Sequence, residues 1–402
     1  MPDAAALFDS RWKNDPYPLY AQLRRDNPVA RLNDTPYYFV SRYADLLSVV
    51  KSPALYSSRV PGFLRLQDDG TIAFQSSPES DTAGRILGAE DPPLHTQQRK
   101  ALSAVFNRRV KVLENQVEVY CGHLAAHLPR NENFDFMQHC ARDIGSWSIC
   151  QLLGMPLSMQ EQLTQWAHLV IKGMLGNTSD AAFVSTCEAG LALQLYLQDF
   201  FNHAQKSPGD DLTGDLVSLV SSGQLTSTTA LGMLLQLVVG GADTTASWIG
   251  SSLLLLMRNP EHQQALQHSD TLVALLEETL RLETPSQGNY RITQDDVTLA
   301  DISLASGSIL VLLWGSANRD DSVYSDPNQI NVQRKEPQHL GFGRGIHACL
   351  GASLARLEVR ALYTALAPLI PHITPAGDIE RPDWTESLFS RQLNSLPVRL
   401  DD

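Results

Sequence analysis

The chain has 402 residues, 43% hydrophobic and 19% charged, a globular composition that excludes a disordered or collagen-like chain and leaves room to enclose a large cofactor. Its 31 basic against 44 acidic side chains give a formal charge of −13, which argues against nucleic acid as a main partner, because duplex binding needs a basic face. Five cysteines, at 121, 140, 150, 187 and 349, form no CxxC pair, so neither a disulfide framework nor a four-cysteine zinc site is expected, and a reducing cytoplasm fits. The N-terminal residues lack a basic segment followed by an apolar core, and the most apolar stretches, 231–240 and 253–257, are too short for a membrane span.

In chain order, residues 17–25 read as a helix after Asp15-Pro16, and two short alternating runs, 29–32 and 37–40, read as a hairpin. Residues 42–51 are helical again. Residues 61–93 are rich in Gly, Pro, Ser and Asp and too long for an ordinary connection, which suggests a lid or binding loop. From 94 to 257 the periodicity is mostly helical. Its strongest part, 231–257, follows cap candidates at 226–229, stops before Pro260, and is apolar nearly all round, so it should be buried. A helix at 272–282 ends before Pro285. Strands follow at 290–293, 297–299 and 309–313, and a last long helix at 351–369. No repeat and no linker is visible. The expected fold is mainly α with small β-sheets, in one domain over 1–402.

Four groups of residues could carry chemistry. Phe342-Gly-Arg-Gly-Ile-His-Ala-Cys349-Leu-Gly351 puts one cysteine among glycines at the entrance to a helix. Helix-terminal N–H groups stabilise a thiolate there, and glycines admit a flat ligand, so the thiolate could ligate haem iron. A buried, inert cysteine is the plain alternative. A dinucleotide reading fails, because Ile346 stands where GxGxxG needs its third glycine. Glu278 and Arg281 share a helix face at i, i+3, although surface pairs of this kind are common. Gly240-Gly241-Ala242-Asp243-Thr244-Thr245 interrupts the longest apolar helix. Two glycines weaken a helix by about 1 kcal/mol each. A buried acid and alcohol there suit either a proton relay beside a widened helix or close helix packing. Finally, His95, Arg99, Arg291 and His347 could bind two carboxylates, or be ordinary surface charges and satisfied histidines.

Together these motifs resemble the cytochrome P-450 family of haem-thiolate monooxygenases over nearly the whole chain. Phe342, Gly345, Cys349 and Gly351 match its FxxGxxxCxG loop, Glu278 and Arg281 its ExxR helix, and Gly241, Asp243 and Thr244 its (A/G)GxDT element. Asp91-Pro92-Pro93-Leu94-His95 with Arg99 matches DPPxHxxxR, and Ala317-Asn318-Arg319-Asp320 with Asp326-Pro327 matches ANRD…DP. One departure is Ile330, where DPxxFxxxR has an aromatic anchor before Arg334.

The resemblance implies the cytochrome P-450 fold, with haem b buried between the long central helix and the cysteine-loop helix. It implies Cys349 as the iron ligand, Phe342, Gly345 and Gly351 in the haem loop, and His95, Arg99, Arg291 and His347 on the propionates. Glu278, Arg281 and Arg334 would be structural, and Asp243 and Thr244 would deliver protons during reductive activation of O2. Electrons would come from NAD(P)H through a separate ferredoxin reductase and ferredoxin, or a flavodoxin, docking near Arg108, Arg109, Lys111 and Arg344. The enzyme would be bacterial, cytoplasmic and monomeric, without nucleic acid, membrane anchor or fused reductase. Its pocket would be lined by Phe63, Leu64, Met174, Ala242, Thr245, Gln287, Gly288, Asn289 and Phe389. The substrate would be a small to medium organic molecule, free or carrier-bound. Oxidative coupling, peroxygenase chemistry or a non-catalytic haem protein are the alternatives on the same fold.

Overall fold

The computed structural model describes residues 4–76, 87–174, 179–335 and 338–402. The N-terminal part runs α1 (Tyr17–Asp26), β1 (Val29–Arg31), β2 (Tyr37–Val40), α2 (Tyr43–Lys51) and β3 (Tyr56–Ser57). The hairpin of β1 and β2 forms as its alternation predicts, with Val29 opposite Val40. The stretch 61–93, expected as a lid or binding loop, holds a second hairpin, β4 (Gly62–Leu66) and β5 (Ile72–Ser76), that the sequence reading did not anticipate. Its signal was Asp69-Gly70: Gly70 turns at φ +83°, and Asp69 Oδ1 accepts from the Thr71 amide at 2.9 Å.

The helical part follows: α3 (Leu94–Ala126), β6 (Asn133–Asp135), α4 (Arg142–Leu153), α5 (Gln160–Met174), α6 (Asp180–Lys206), α7 (Leu212–Ser221) and α8 (Ser227–Arg258). Helix α8 begins where Thr226 Oγ1 accepts from the Thr229 amide at 3.1 Å, and it stops at Asn259-Pro260. Its apolar residues are buried on nearly every side by α4, α5, α6, α7 and α9 (Ser269–Leu282). Small residues let α4 and α8 cross closely. A Cβ on Gly145 would stand 2.9 Å from the carbonyl oxygens of Gly241 and Ala242, and one on Gly241 would stand 2.5 Å from Ile149 Cδ1. Among the described residues, no helix is long and apolar enough to cross a membrane.

The chain then returns to the first sheet. Strands β7 (Gly288–Thr293), β8 (Val297–Leu299), β9 (Ile302–Leu304) and β10 (Ile309–Leu313) lead to α10 (Trp314–Ala317), the cysteine loop and α11 (Ala352–Leu366). The sheet order is β1-β2-β10-β7-β3, with only β2 and β10 parallel. Strands β11 (Ile373–Pro375) and β12 (Pro397–Leu400) close a small sheet with β6. Helix α11 lies along α3 and reaches α8 and α9, so the cysteine loop enters a helix wedged into the main core.

Candidate functional site

The loop before α11 is shaped by two glycines in left-handed conformation, Gly343 at φ +64° and Gly345 at φ +77°. A Cβ on Gly345 would also stand 2.5 Å from the Val50 carbonyl oxygen, so no other residue fits. The Cys349 amide donates to the Phe342 carbonyl at 2.8 Å and closes the loop. Burial raises the Cys349 thiol, while the Gly351 and Ala352 amides and the charges of Arg99 and Arg356 pull it down. The same thiol is accessible to solvent. Both hold when the side chain lies on the wall of an internal space.

The four basic residues converge there. The rings of His95, on α3, and His347 lie 4.3 Å apart, and all four ring nitrogens are buried without a hydrogen-bond partner among the described residues. Burial drives His347 down to about 3, helped by Arg291, His95 and Arg99, and lowers His95 as well. Arg291, on β7, is buried and pushed down to about 10, its one described bond running to the Tyr290 carbonyl. Arg99 is also lowered by burial and forms no ion pair among the described residues. The two imidazoles, with all four ring nitrogens buried and unpartnered, are costly as they stand, and the two guanidiniums beside them have no acid to pair with among the described residues. As a donor set they fit a ligand with two carboxylates beside a thiolate, which is how haem presents itself.

The Glu278–Arg281 pair is not a solvated surface pair: Arg281 is 1% exposed. Arg281 Nε and its terminal nitrogen donate to both Glu278 oxygens at 2.8 and 2.9 Å, and Arg334 Nε adds a bond at 3.0 Å. Arg281 also donates to the carbonyls of Asn318, Pro327 and Gln329. Asn318 in turn takes the Leu340 amide at 2.6 Å, which joins the network to the cysteine loop. Burial pushes the Glu278 carboxyl up, but the bonds and charges of Arg281 and Arg334 outweigh it and hold it below the ordinary value. Ile330, in place of the aromatic anchor, is buried in the main core.

On α8, Thr244 Oγ1 donates to the Gly240 carbonyl at 2.8 Å on an accessible side of the helix, where a Cβ on Gly240 would meet nothing within 4 Å. Asp243, one position earlier, is buried and paired with His168 of α5 at 2.8 Å.

Several residues expected in the pocket wall lie elsewhere. Thr245 is buried and faces Glu358 of α11. Ala242 is buried where α8 crosses α4. Gln287 donates to the Thr284 carbonyl at 2.6 Å and packs under Gly315, whose missing Cβ makes the room. Leu64, turned inward by the hairpin, and Phe389, from the C-terminal segment, belong to an apolar core with Leu313, and Gly288 lies against Phe389. Phe63 is half-buried against Phe183 of α6, at 6.3 Å between ring centroids, and Asn289 is exposed. The Met174 side chain lies outside the described residues.

Arg108 and Arg109 are not free cations. They pair with Asp215 of α7 at 2.7 Å each, and Arg109 also with Asp210 at 2.7 Å. Arg344 is exposed, and its side chain is bonded to that of Gln338. Lys111 lines a cleft of about 550 Å³, with Trp248, Val273, Glu277, Arg356 and Arg360 in its walls.

The sequence reading missed the Glu277–Arg356 fork, at 2.7 and 2.8 Å. His339 bonds the same carboxylate at 2.9 Å, and the Arg356 guanidinium lies 4.4 Å from the Phe342 ring centre. Burial opposes these bonds, yet they hold Glu277 down at about 2. Arg356 is the fifth residue of α11, and its short spacing from Cys349 was the available signal. Nothing in the sequence pointed to His168.

Comparison with known proteins agrees with this site. The family model described as Cytochrome P450 matches residues 196–367. The chain is 30% identical over 404 residues to the vitamin D(3) 25-hydroxylase of Pseudonocardia autotrophica, covering 98% of this chain and 96% of that one. It is 30% identical over 410 residues to cytochrome P450 107B1 of Saccharopolyspora erythraea, covering 99% and 98%. Among solved structures, the tirandamycin C-bound P450 monooxygenase TamI superposes with a TM-score of 0.84 at 30% identity, covering 98% and 99%.

Proposed function

This chain belongs to the cytochrome P450 family and is a haem-dependent monooxygenase, and from that premise we propose the role of each residue at its site. Cys349 is the thiolate ligand of haem iron, and His95, Arg99, Arg291 and His347 hold the two propionates. The observation that carries this reading is the convergence of those four side chains, buried or half-buried and unpaired with any acid among the described residues, beside the exposed Cys349. Bound haem supplies the reductive activation of O2 and the transfer of one oxygen atom to substrate.

The chain's own residues do the rest. Gly343 and Gly345 let the loop pass under a flat ligand, and the amides of Gly351 and Ala352 favour negative charge on sulfur against the burial that raises the thiol. Glu278, Arg281 and Arg334 brace the loop through Asn318. Thr244 presents a hydroxyl to the oxygen-binding side, and Asp243 is the acid that resupplies it with protons. Electrons derived from NAD(P)H arrive through a separate redox partner. We assign its docking to the cleft lined by Lys111, whose cation an acidic ferredoxin would meet, since Arg108 and Arg109 are already paired with Asp215 and Arg360 with Glu114.

The substrate is a small to medium, mainly apolar organic molecule. Two similar proteins, one named for hydroxylating vitamin D3 and one holding tirandamycin C, support that size class. A neighbour described with an acyl carrier protein, P450BioI, keeps carrier-tethered delivery within the reading. The five cysteines are all free, which suits a cytoplasmic enzyme.

The test is Cys349→Ser. The parent protein, reduced under carbon monoxide, is expected to show the spectrum of thiolate-ligated haem, and the variant is expected to lose it. An unchanged spectrum overturns the ligand assignment.

A further inference from the structure

We propose that His168 is the residue through which protons reach Asp243, positioning that acid and relaying to it during oxygen activation. The inference rests on the assignment of Asp243 above. His168 Nδ1 lies 2.8 Å from Asp243 Oδ2. Among the described residues this is the one hydrogen bond to either side-chain oxygen of Asp243, and the one bond made by the His168 ring. The acid is 3% exposed and the imidazole 32%. The carboxylate has no route to water of its own, while its partner does.

The chemistry follows from the two ring nitrogens. A carboxylate accepts, so Nδ1 carries the hydrogen in this contact, and Nε2 on the opposite edge is the position left to meet water. A proton taken up at Nε2 is matched by the Nδ1 proton passing to Oδ2. Exchange with water, or a turn of the ring, restores the first tautomer. One proton enters and one leaves, and no electron moves. Lysine or arginine at this place would pin the acid in a standing ion pair, and glutamine would hold it without conducting. Imidazole does both near neutral pH.

The surroundings hold the ring in place. Helix α5 is fixed to α6 by Trp166 against Tyr196 and by the Thr186 hydroxyl on the Leu169 carbonyl. The ionisable groups on the packed elements are otherwise engaged or turned away. Asp143 of α4 holds Tyr120 and Gln160, Glu358 of α11 faces Thr245, and Glu161, Lys172 and Glu188 are exposed. None of these bonds the imidazole.

The experiment uses the haem-loaded enzyme with its redox chain. In His168→Gln, product formation is expected to fall about tenfold or more, with the lost reducing equivalents appearing as peroxide. The pH dependence of coupling seen in the parent should flatten. An independent readout is NMR of the ferrous carbon monoxide form. The ring N–H of His168, resolved from those of His95 and His347 by its coupling to residues of α5, is expected to be protected from exchange in the parent and should lose that protection in Asp243→Ala, and this measurement needs no His168 variant to fold. Product formation within twofold of the parent and an unchanged pH profile in His168→Gln would overturn the relay. So would a His168 ring N–H that stays protected in Asp243→Ala. If Asp243→Ala keeps parental coupling, the acid assignment itself falls. If it uncouples while His168→Gln does not, only the inference about His168 falls.

Discussion

Glu278→Ala tests whether the loop is braced as the geometry says. The substitution removes the acceptor for both forks of Arg281, for Arg334 Nε and for the Asn331 amide. Arg281 is 1% exposed, so a guanidinium is left buried beside carbonyl partners only. Breaking a buried pair from one side costs about 3–5 kcal/mol. Unfolding entropy of about 2.1 cal/mol/K per residue, over 402 residues, gives about 0.84 kcal/mol/K. The expected fall in melting temperature is therefore about 4–6 °C, with haem released earlier than in the parent. The assay is thermal unfolding by circular dichroism, with haem absorbance recorded alongside. The sign with pH is fixed too. The Glu278 carboxyl is held below its ordinary value of 4.5, so its stabilisation is full above that value and is lost as pH falls through the lowered one. The gap between variant and parent should thus be widest near neutral pH and close in acid. A melting temperature within about 1 °C of the parent at pH 7 would mean the pair contributes no more than a surface pair does, and the bracing argument would fail.

Two further predictions concern the loop and the core beneath α8. Gly345→Ala sets a Cβ against the Val50 carbonyl at a left-handed φ of +77°. It should lower the haem-to-protein ratio of purified enzyme while leaving far-ultraviolet circular dichroism unchanged, and full haem occupancy would refute the steric argument. Glu358 is 1% exposed with Oε1 unpartnered among the described residues, and burial drives it up to about 8, the hydroxyls of Ser148 and Thr245 offsetting only part. The folded state therefore binds a proton that the unfolded chain has released between about pH 4.5 and 8, so this group's contribution falls as pH rises through that window. Glu358→Gln should remove that decline and melt at or above the parent at pH 8.5, and a variant that loses stability more steeply with pH than the parent would refute it.

What was legible in the sequence divides along physical lines. Helix α8 could be read because its cap, its apolar run and its proline stop are all local signals. The cysteine loop could be read because backbone geometry dictates residue type: a positive φ at Gly345 beside the Val50 carbonyl admits only glycine, so the spacing of Gly343, Gly345 and Cys349 survives as a pattern. The β4–β5 hairpin was hidden by the polar, breaker-rich composition around it, although Asp69-Gly70 marked its turn. The pocket wall was least legible. Thr245 follows Thr244 directly, yet 100° of helical rotation separates them, so that one lies on an accessible side of the helix and the other meets Glu358.

The same reasoning explains why Asp243 could be recognised and its partner could not. An acid in an apolar helix is visible in one dimension, because burying it without a partner is costly and something must therefore answer it. The answering residue has no such mark. His168 lies 75 positions away on a helix whose sequence is unremarkable, and a half-exposed histidine is ordinary there. Only the packing of α5 across α8 turns it into the acid's partner. A family pattern therefore identifies the groups that any member needs for oxygen activation, while the route by which water supplies them with protons is set by tertiary contacts particular to this chain. Variation at position 168 should accordingly alter coupling and its dependence on pH while leaving the spectrum of the haem-thiolate centre as it is.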